Sequence, residues 1–185
     1  MTVPPPRSSL KIAATIAAPT IDEMSTIRYI HAQSLRRAAA EWADDTEITA
    51  YDAYVYAPAY ATDIEEALRA ARFFGAYLGG QLIGTSGWSP VDDDTASARV
   101  RWCHILPLFG GLGIGRTLLH AAERDAEAVG HASLIARATP TAAAFFERAG
   151  YGITAHGRRE IGFRQTLPVT FLRKSLRPPR TPPLF

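Results

Sequence analysis

The chain has 185 residues, of which 47% are hydrophobic and 21% charged, and this composition predicts a globular protein large enough for one domain with a substantial core. Its single cysteine excludes an internal disulfide and a zinc site built on cysteine pairs, and no two of its five histidines have the spacing of a helical metal site, so we predict no metal. The formal net charge of only +2 gives no general reason to expect nucleic-acid binding.

The N-terminal segment combines two basic residues with a short apolar run at 12–18. The run contains Thr15 and ends at Pro19, so it is too short and too polar for a membrane span and makes a poor signal peptide. We therefore predict a disordered leader over residues 1–9, a first strand over 10–17, a cytoplasmic location and no binding to membranes.

Helical patterns follow. Thr20 and Glu23 have the spacing of a capping box, and the apolar residues after them recur with helical period, which predicts a helix over 21–40. Thr62 and Glu65 repeat this spacing and predict a short helix that ends near residue 71.

Residues 41–60, between these helices, are rich in acidic and aromatic side chains and predict a further helix that packs on the sheet. The aromatic residues of this segment are Trp42, Tyr51, Tyr54, Tyr56 and Tyr60.

A β-hairpin is predicted next. Residues 72–78 and 81–88 have strand-like composition, and the two glycines between them permit the positive φ angles of a tight turn. The proline and three consecutive aspartates that follow, within residues 90–94, predict a polar loop.

The central stretch combines a strand, predicted over 97–106, with a glycine-rich turn and an amphipathic helix, predicted over 113–129. Glycines leave backbone N–H groups unshielded at the helix N-terminus, where several of them can converge on an anion. The glycines of the turn are Gly110, Gly111, Gly113 and Gly115.

Three phosphate-binding patterns can be compared with this turn. The dinucleotide pattern G-x-G-x-x-G fails, since Arg116 and Leu118 stand where its last glycine belongs. The P-loop pattern nearly fits from Gly110 to Thr117, but Arg116 replaces its lysine, and a planar guanidinium is a poor substitute for a compact ammonium.

The third pattern fits best. A strand, Pro107 and the spacing x-x-x-Gly113-x-Gly115 at the start of a helix resemble motif A of the GNAT superfamily of N-acetyltransferases, which binds the pyrophosphate of coenzyme A. Residues 139–151, with Phe146-Glu147 at their centre, resemble motif B of the same family. Because both motifs occur in the family's order and spacing, the chain is identified as a member over about residues 10–175.

The resemblance implies the GNAT fold, an α/β (α+β) architecture with a central mixed, mostly antiparallel sheet that is flanked by helices and splayed between the fourth and fifth strands. The remaining predicted elements agree with the family's order: strand 132–137, helix 141–149 and strands 151–160 and 166–174. One domain is therefore expected over residues 10–176, followed by a Pro-rich disordered tail over 177–185.

The resemblance also implies how acetyl-CoA, the acyl donor, is held. In the family, the strand before motif A pairs its backbone with the pantetheine arm, and motif A holds the pyrophosphate. Gly110 stands where the family usually has Gln or Arg, which should weaken binding without abolishing it. Carried over, the cofactor-binding residues are Cys103, His104, Ile105, Gly111, Leu112, Gly113, Ile114, Gly115, Arg116, Thr139 and Phe146.

The acceptor site is less defined. The family places one wall of it beside residues 41–60, so Trp42 is a predicted contact. Trp88 and Arg101 are also predicted to contact the acceptor. If Arg101 faces the cleft, it would favour an acceptor with a carboxylate or phosphate; alternatively it is a surface arginine on its strand.

Catalytic residues stay unassigned. The predicted strand 97–106 carries no acid where the family often has its general base, which leaves residues 92–94, the acids around 44–52, or water. Phe146 stands where the family's tyrosine protonates the leaving thiolate. Cys103 and His104 are adjacent, but neighbours on a strand face opposite sides, so we expect a packing cysteine and not a nucleophile.

The resemblance implies an acyl-CoA-dependent N-acetyltransferase that acetylates a primary amine of a small molecule or peptide by direct transfer. A non-catalytic acyl-CoA-binding sensor or interaction domain of the same fold is the alternative. A homodimer is compatible with either. Basic residues are in excess after residue 157, but no aromatic stacking pattern accompanies them, so no nucleic-acid partner is expected.

Overall fold

The computed structural model describes residues 13–162 and 165–176. Its centre is a seven-stranded sheet in the order β1-β2-β3-β4-β5-β7-β6. The strands are β1 (Thr15–Ala17), β2 (Phe73–Leu78), β3 (Gln81–Pro90), β4 (Ser97–Ile105), β5 (Ser133–Ala138), β6 (Gly152–Gly162) and β7 (Gln165–Ser175). The helices are α1 (Met24–Ala39), α2 (Asp45–Tyr56), α3 (Pro58–Arg69), α4 (Ile114–Val129) and α5 (Pro140–Arg148).

Every neighbouring pair of strands is antiparallel except β4 and β5, which are parallel. These two pair only from Ser97 opposite Ser133 to Arg99 opposite Ile135, and β4 continues without a paired residue on β5. The predicted mixed, mostly antiparallel sheet with a splay between the fourth and fifth strands is therefore confirmed. The splay leaves backbone N–H and C=O groups of β4 free for another partner.

β4 also carries a bulge. Its register against β3 shifts between Thr85 and Gly87, and Trp102 within the shift has a φ of 56°, which is unusual for a residue with a side chain. The bulge lies where β4 turns away from β5, so it changes the direction of the side chains that follow it.

Of the two capping boxes predicted from the sequence, one begins a helix and the other does not. The Thr20 capping box is present and precedes a short 3-10 turn that leads into α1. The second predicted capping box was wrong, because α3 begins at Pro58 and Thr62 lies inside the helix, donating its hydroxyl to the Pro58 carbonyl. Pro58 suits the first helical position, since it has no N–H to satisfy there. The helix of residues 41–60 is α2, capped by Asp44.

The β2–β3 hairpin is confirmed. Gly79 and Gly80 connect the strands with φ values of 57° and 80°, as a two-residue turn of this kind requires.

The helices cover both faces of the sheet. On one face, α1, α2 and α3 bury apolar residues such as Ile30 and Ile64 against Phe73 of β2. On the other face, α4 and α5 pack around Leu119 and Leu134. The sheet is thus shielded on both sides, and its splay is the place where a ligand can reach the backbone.

The predicted leader 1–9 and tail 177–185 lie outside the described residues, as do the first residues of the predicted first strand. Over residues 13–162 and 165–176, no helix combines the length and the apolar character that a membrane crossing demands.

Candidate active site

Two adjoining cavities lie where β4 and β5 separate. The first, the glycine groove, has a volume of about 430 Å³ and runs between the end of β4, the turn before α4, and α5. The second, the arginine cleft, has a volume of about 400 Å³ and runs between β4, the end of β5 and the helices α1 to α3. Both cavities are of a size that suits small ligands. The residues that line both of them are Ser34, Cys103, Ala142 and Phe146.

The glycine groove is built to hold an anion. Gly111 and Gly113 have φ values of 77° and 81°, and Gly113 precedes α4 without any side-chain cap. The first N–H groups of a helix have no intrahelical acceptor, so those of residues 114–116 are available at this end of the groove. Arg116 and Arg148 also line the groove and add positive charge.

The floor of the groove is the free edge of β4. Cys103 and Ile105 line the groove beyond the last residue that pairs with β5. An extended ligand arm could hydrogen-bond to this edge as an added strand would.

The arginine cleft has an unusual charge distribution. Four arginines from three strands line it, and Asp63 of α3 is the acidic residue in the same lining. Three tyrosines from α2 and α3 complete the wall. The arginines are Arg99, Arg101, Arg137 and Arg159, and the tyrosines are Tyr51, Tyr54 and Tyr60.

The arginines affect one another. Partial burial, followed by the charge of Arg137, lowers the pKa of Arg99 below its ordinary value. Partial burial and the charges of Arg159 and Arg101 lower the pKa of Arg137 in the same way. Guanidinium groups remain charged at neutral pH even so, and the shifts therefore indicate a concentrated positive potential.

Below the cleft, a buried hydrogen-bond chain fixes a histidine. Thr85 donates its hydroxyl to the Trp102 carbonyl at 2.8 Å, so its oxygen must accept the 2.7 Å bond from Nε2 of His31. Nδ1 of His31 is then unprotonated and accepts from the Tyr60 hydroxyl at 2.7 Å. Burial, followed by the proximity of His104, lowers the pKa of His31 well below its ordinary value. His31 is thus a fully buried residue of the core, held by hydrogen bonds on both ring nitrogens.

His104 lines the arginine cleft next to Cys103, which lies at the junction of the cavities. Its ring lies 4.4 Å from that of His31, and its Nδ1 is 3.3 Å from the hydroxyl of Ser34. Burial lowers the pKa of His104 to about 4, so the ring is neutral at physiological pH and can accept a proton.

Cys103 lies at the junction but does not have the features of a nucleophile. Burial raises the pKa of its thiol to about 12, whereas nucleophilic cysteines act as thiolates with lowered pKa values. This supports the expectation that Cys103 is a packing residue.

Most of the residues predicted to bind the cofactor come together. Those that line the glycine groove are Cys103, Ile105, Gly111, Gly113, Ile114, Gly115, Arg116 and Phe146. His104 and Thr139 instead line the arginine cleft. Leu112 is 48% exposed on the turn and lines neither cavity. Sequence reasoning missed Arg148 and Phe145, which lie in the motif B region and line the groove.

The predicted acceptor contacts require a correction. Trp88 is buried in the core, where its indole N–H donates to Asp125 at 2.7 Å. Trp42 lines a small separate depression beside α1 and α2. Neither tryptophan lines the cleft, whereas Arg101 does and forms an ion pair with Asp63.

None of the acids considered as a general base lines the cleft. Asp94 accepts the Ser97 hydroxyl, Asp44 caps α2 and Asp52 pairs with Arg36.

The sequence did offer a sign of the arginine cleft, since Arg99 and Arg101 are two residues apart on one strand and share a face. Their partners Arg137 and Arg159 become neighbours only through the order of the strands in the sheet.

Across residues 13–162 and 165–176, His, Cys, Asp and Glu side chains form no cluster of three or more that could hold a metal ion.

Comparison with known proteins agrees with this geometry. Residues 33–151 match the family model described as the acetyltransferase (GNAT) family, which covers more than half of the chain. The chain therefore belongs to the GNAT acetyltransferase family, whose members are acyl-CoA-dependent acetyltransferases. No curated protein sequence matches it significantly.

Solved structures share the fold. PaiA N-acetyltransferase from Thermoplasma acidophilum, in complex with coenzyme A, is 16% identical with a TM-score of 0.73, over 88% of this chain and 99% of that one. A GCN5-related N-acetyltransferase from Rhodopseudomonas palustris is 21% identical with a TM-score of 0.74, over 88% and 96%. YncA from Salmonella typhimurium, with its cofactor acetyl-CoA, is 19% identical with a TM-score of 0.66, over 92% and 98%.

Proposed function

We propose that the protein transfers an acetyl group from acetyl-CoA directly to the primary amine of a small molecule. The observation that carries this proposal is that the glycine groove and the arginine cleft share wall residues, so that a donor in one cavity and an acceptor in the other meet at Cys103 and Phe146. Direct transfer needs little covalent chemistry from the protein, because holding the two reactants together removes most of the entropic barrier.

The residues of the groove fit coenzyme A. The free N–H groups at the start of α4, with Arg116 and Arg148, would hold the pyrophosphate. The unpaired edge of β4 would hold the pantetheine arm, and one of its backbone N–H groups would donate to the acetyl oxygen as negative charge develops there. Acetyl-CoA supplies the activated thioester.

His104 is the proposed proton acceptor. The amine nitrogen becomes acidic as it bonds to carbon, so even a weak base can take its proton. His104 lines the cleft, lies within reach of Ser34 at the junction, and is unprotonated at neutral pH. Asp63 is a poorer candidate because its carboxylate is paired with Arg101.

The leaving thiolate receives its proton from water in this proposal. Phe146 has no hydroxyl, and Tyr151 behind it is buried in the core and lines neither cavity. A thiol has a pKa of about 8.5, so the thiolate leaves without a strong acid.

The test is thiol release from acetyl-CoA in the presence of amino acids, polyamines, aminoglycosides and peptides. Ala142→Leu would fill the junction and should abolish release with every active amine. Ala144→Leu, on the exposed side of the same helix, is the matched control and should keep full activity. Full activity of Ala142→Leu would show that transfer does not occur at this junction.

The alternative is a non-catalytic acyl-CoA sensor. The absence of a hydroxyl on Phe146 favours it, because a sensor needs no proton donor. Binding of acetyl-CoA without release of thiol for any amine would support the sensor and refute the enzyme.

A further inference from the structure

The arginine cleft contains more positive charge than the protein itself neutralises. Arg101 has a carboxylate partner in Asp63. Arg159 instead donates to the neutral Tyr54 hydroxyl at 2.6 Å and lies over its ring. Arg137 lies 5.7 Å from the centre of the Phe171 ring. Aromatic contacts position a guanidinium but supply no negative charge.

Arg99 shows this lack of compensating negative charge most directly. Its Nε is buried and has no hydrogen-bond partner, although a buried donor without a partner is costly. Asp92 raises the pKa of Arg99, but this is the smallest of the effects on it, after burial and the charges of Arg137, Arg101 and Arg159, which all lower it. The arginine charges in the wall of the cleft are therefore only partly compensated by protein carboxylates, and an anionic ligand would supply the missing negative charge.

Several basic residues outside the cleft each have an acidic partner of their own. Arg36 pairs with Asp52, Arg158 with Glu47, and Lys174 with Glu123. In the cleft, by contrast, four arginines share one aspartate.

We infer that the acceptor is a small amine that carries at least two negative charges, as a phosphate monoester or as a dicarboxylate. Arginine forks match both groups, because they donate two parallel hydrogen bonds to a carboxylate or phosphate. The anionic end lies among Arg99, Arg137 and Arg159, and the amine points to the junction at Phe146. This inference rests on the proposed acetyl transfer for the amine, whereas the binding of anions can be measured without a reaction.

The size of the cleft supports a small ligand. Its volume of about 400 Å³ is near the lower end of the range for ligand pockets, and tyrosines enclose it from the side of α2 and α3. A metabolite with one or two anionic groups fits this volume.

Calorimetric titration with two matched pairs of compounds tests the inference. O-phosphoserine is compared with serine, and aspartate with asparagine, so that each pair differs by one anionic group and the two pairs separate phosphate from dicarboxylate. We expect at least one dianionic compound to bind about tenfold or more tightly than its partner, and the preference to weaken with added salt. Equal affinity within both pairs would overturn the inference.

Variants of the cleft arginines test whether the preference for dianionic compounds arises in the cleft. Arg99→Gln and Arg137→Gln should each reduce the preference by about tenfold, since each removes a charge-assisted contact. Arg137 is exposed, so its variant remains informative if replacement of Arg99 impairs folding. Arg69→Gln, which removes a 69% exposed arginine side chain on α3, is the control and should leave the preference unchanged. An undiminished preference in both cleft variants would also overturn the inference.

The outcomes separate this inference from the proposed function. Arginine-dependent binding of the dianions without acetylation of any amine would support the anion site and refute the enzyme. Acetylation of neutral amines with no arginine-dependent preference would refute the anion site and support the enzyme.

Discussion

Phe146 lies at the junction of the two cavities, where a proton donor would be most useful. Its side chain is only 6% exposed and packs edge-on against Phe145 and Tyr151. A phenyl ring can pack against a pantetheine arm but cannot protonate a thiolate. Its packing therefore fits a role in binding, and the proton must come from elsewhere.

Phe146→Tyr tests whether thiolate protonation limits turnover. A positioned acid is worth a factor of about 10² to 10⁴ in rate, so kcat should rise if protonation is limiting and stay unchanged if attack by the amine is limiting. The measurement is steady-state thiol release, with solvent isotope effects on both proteins. A fall in kcat with intact acetyl-CoA binding would contradict a packing role, since the added hydroxyl would then disturb the reacting groups.

His104, which lines the arginine cleft beside the junction, also has a testable role. His104→Gln keeps polarity and approximate size but removes the base, so kcat should fall by about 10² or more while the affinity for acetyl-CoA stays within a few-fold. With its pKa lowered to about 4, His104 stays unprotonated between pH 6 and 8, so the activity of the wild type should not fall with protonation of His104 in that range. An activity loss near pH 6.5 would show that the pKa of His104 is not lowered, and an unchanged kcat in His104→Gln would contradict its assignment as the base.

Residue-scale prediction from the sequence succeeded where a local pattern fixes the backbone and failed where only tertiary neighbours decide. Gly111 and Gly113 were predictable because positive φ angles favour glycine. Trp42 and Trp88 were not, because an aromatic residue in a suitable segment packs equally well in the core. Asp63 was missed because its partner Arg101 is 38 residues away along the chain.

At the scale of elements, the turn before α4 is the part on which coenzyme binding depends in the proposed function. Gly113 has a φ of 81° and a Cβ there would meet no atom within 4 Å, so substitution acts through the backbone alone. A residue with a side chain at such an angle is strained by about 1–2 kcal/mol and would shift the N–H groups at the start of the helix.

Gly113→Ala should therefore lose most of the thermal stabilisation that acetyl-CoA confers on the wild type. Gly79→Ala is a matched control, because Gly79 has a φ of 57° and is equally open, but lies in the β2–β3 turn. Without ligand, both variants should have a slightly lower melting temperature than the wild type. Only Gly113→Ala should also lose the rise in melting temperature that acetyl-CoA causes. ATP with magnesium should stabilise none of the three proteins; stabilisation of the wild type by ATP instead of acetyl-CoA would favour a P-loop function.

Most element boundaries could be predicted from the sequence, since the hydrophobic period and the turn residues specify them. α3 is the exception, because Thr62 and Glu65 have capping spacing by chance and Pro58 is the actual start. A proline that follows an apolar residue gives little indication of whether it begins a helix or interrupts one. Packing determines where α3 begins, since Tyr60 lies in its first turn with a buried ring whose hydroxyl donates to His31.

At the scale of the whole molecule, the basic side chains of β7 and those of the arginine cleft have different surroundings. The basic excess after residue 157 is mostly paired within the described structure, where Arg173 donates to Ser97 and Ser133 and Lys174 to Glu123. These contacts fasten β7 to β4, β5 and α4. In the arginine cleft, by contrast, four arginines share one aspartate.

The pH dependence of stability follows from the two histidines in the core. Burial lowers the pKa of both His31 and His104 in the folded state, whereas the unfolded chain has the ordinary value of about 6.5. Below that value the unfolded state binds more protons than the folded state. Stability is therefore complete above about pH 6.5 and is lost as the pH falls toward 4, by up to about 1.4 kcal/mol per pH unit for each histidine.

Urea unfolding of the wild type, His104→Gln and the control His156→Gln between pH 7.5 and 4.5 would measure this loss. His104→Gln should have a shallower slope than the wild type by up to one proton per molecule, because it removes one of the two groups that must charge on unfolding. His156 is exposed on β6, so its replacement should leave the slope as it is. Carboxylates that titrate near pH 4.5 contribute alike in all three proteins and cancel in the comparison. Equal slopes for the wild type and His104→Gln would mean that His104 is as easily protonated in the folded protein as in the unfolded chain, which its burial beside His31 argues against.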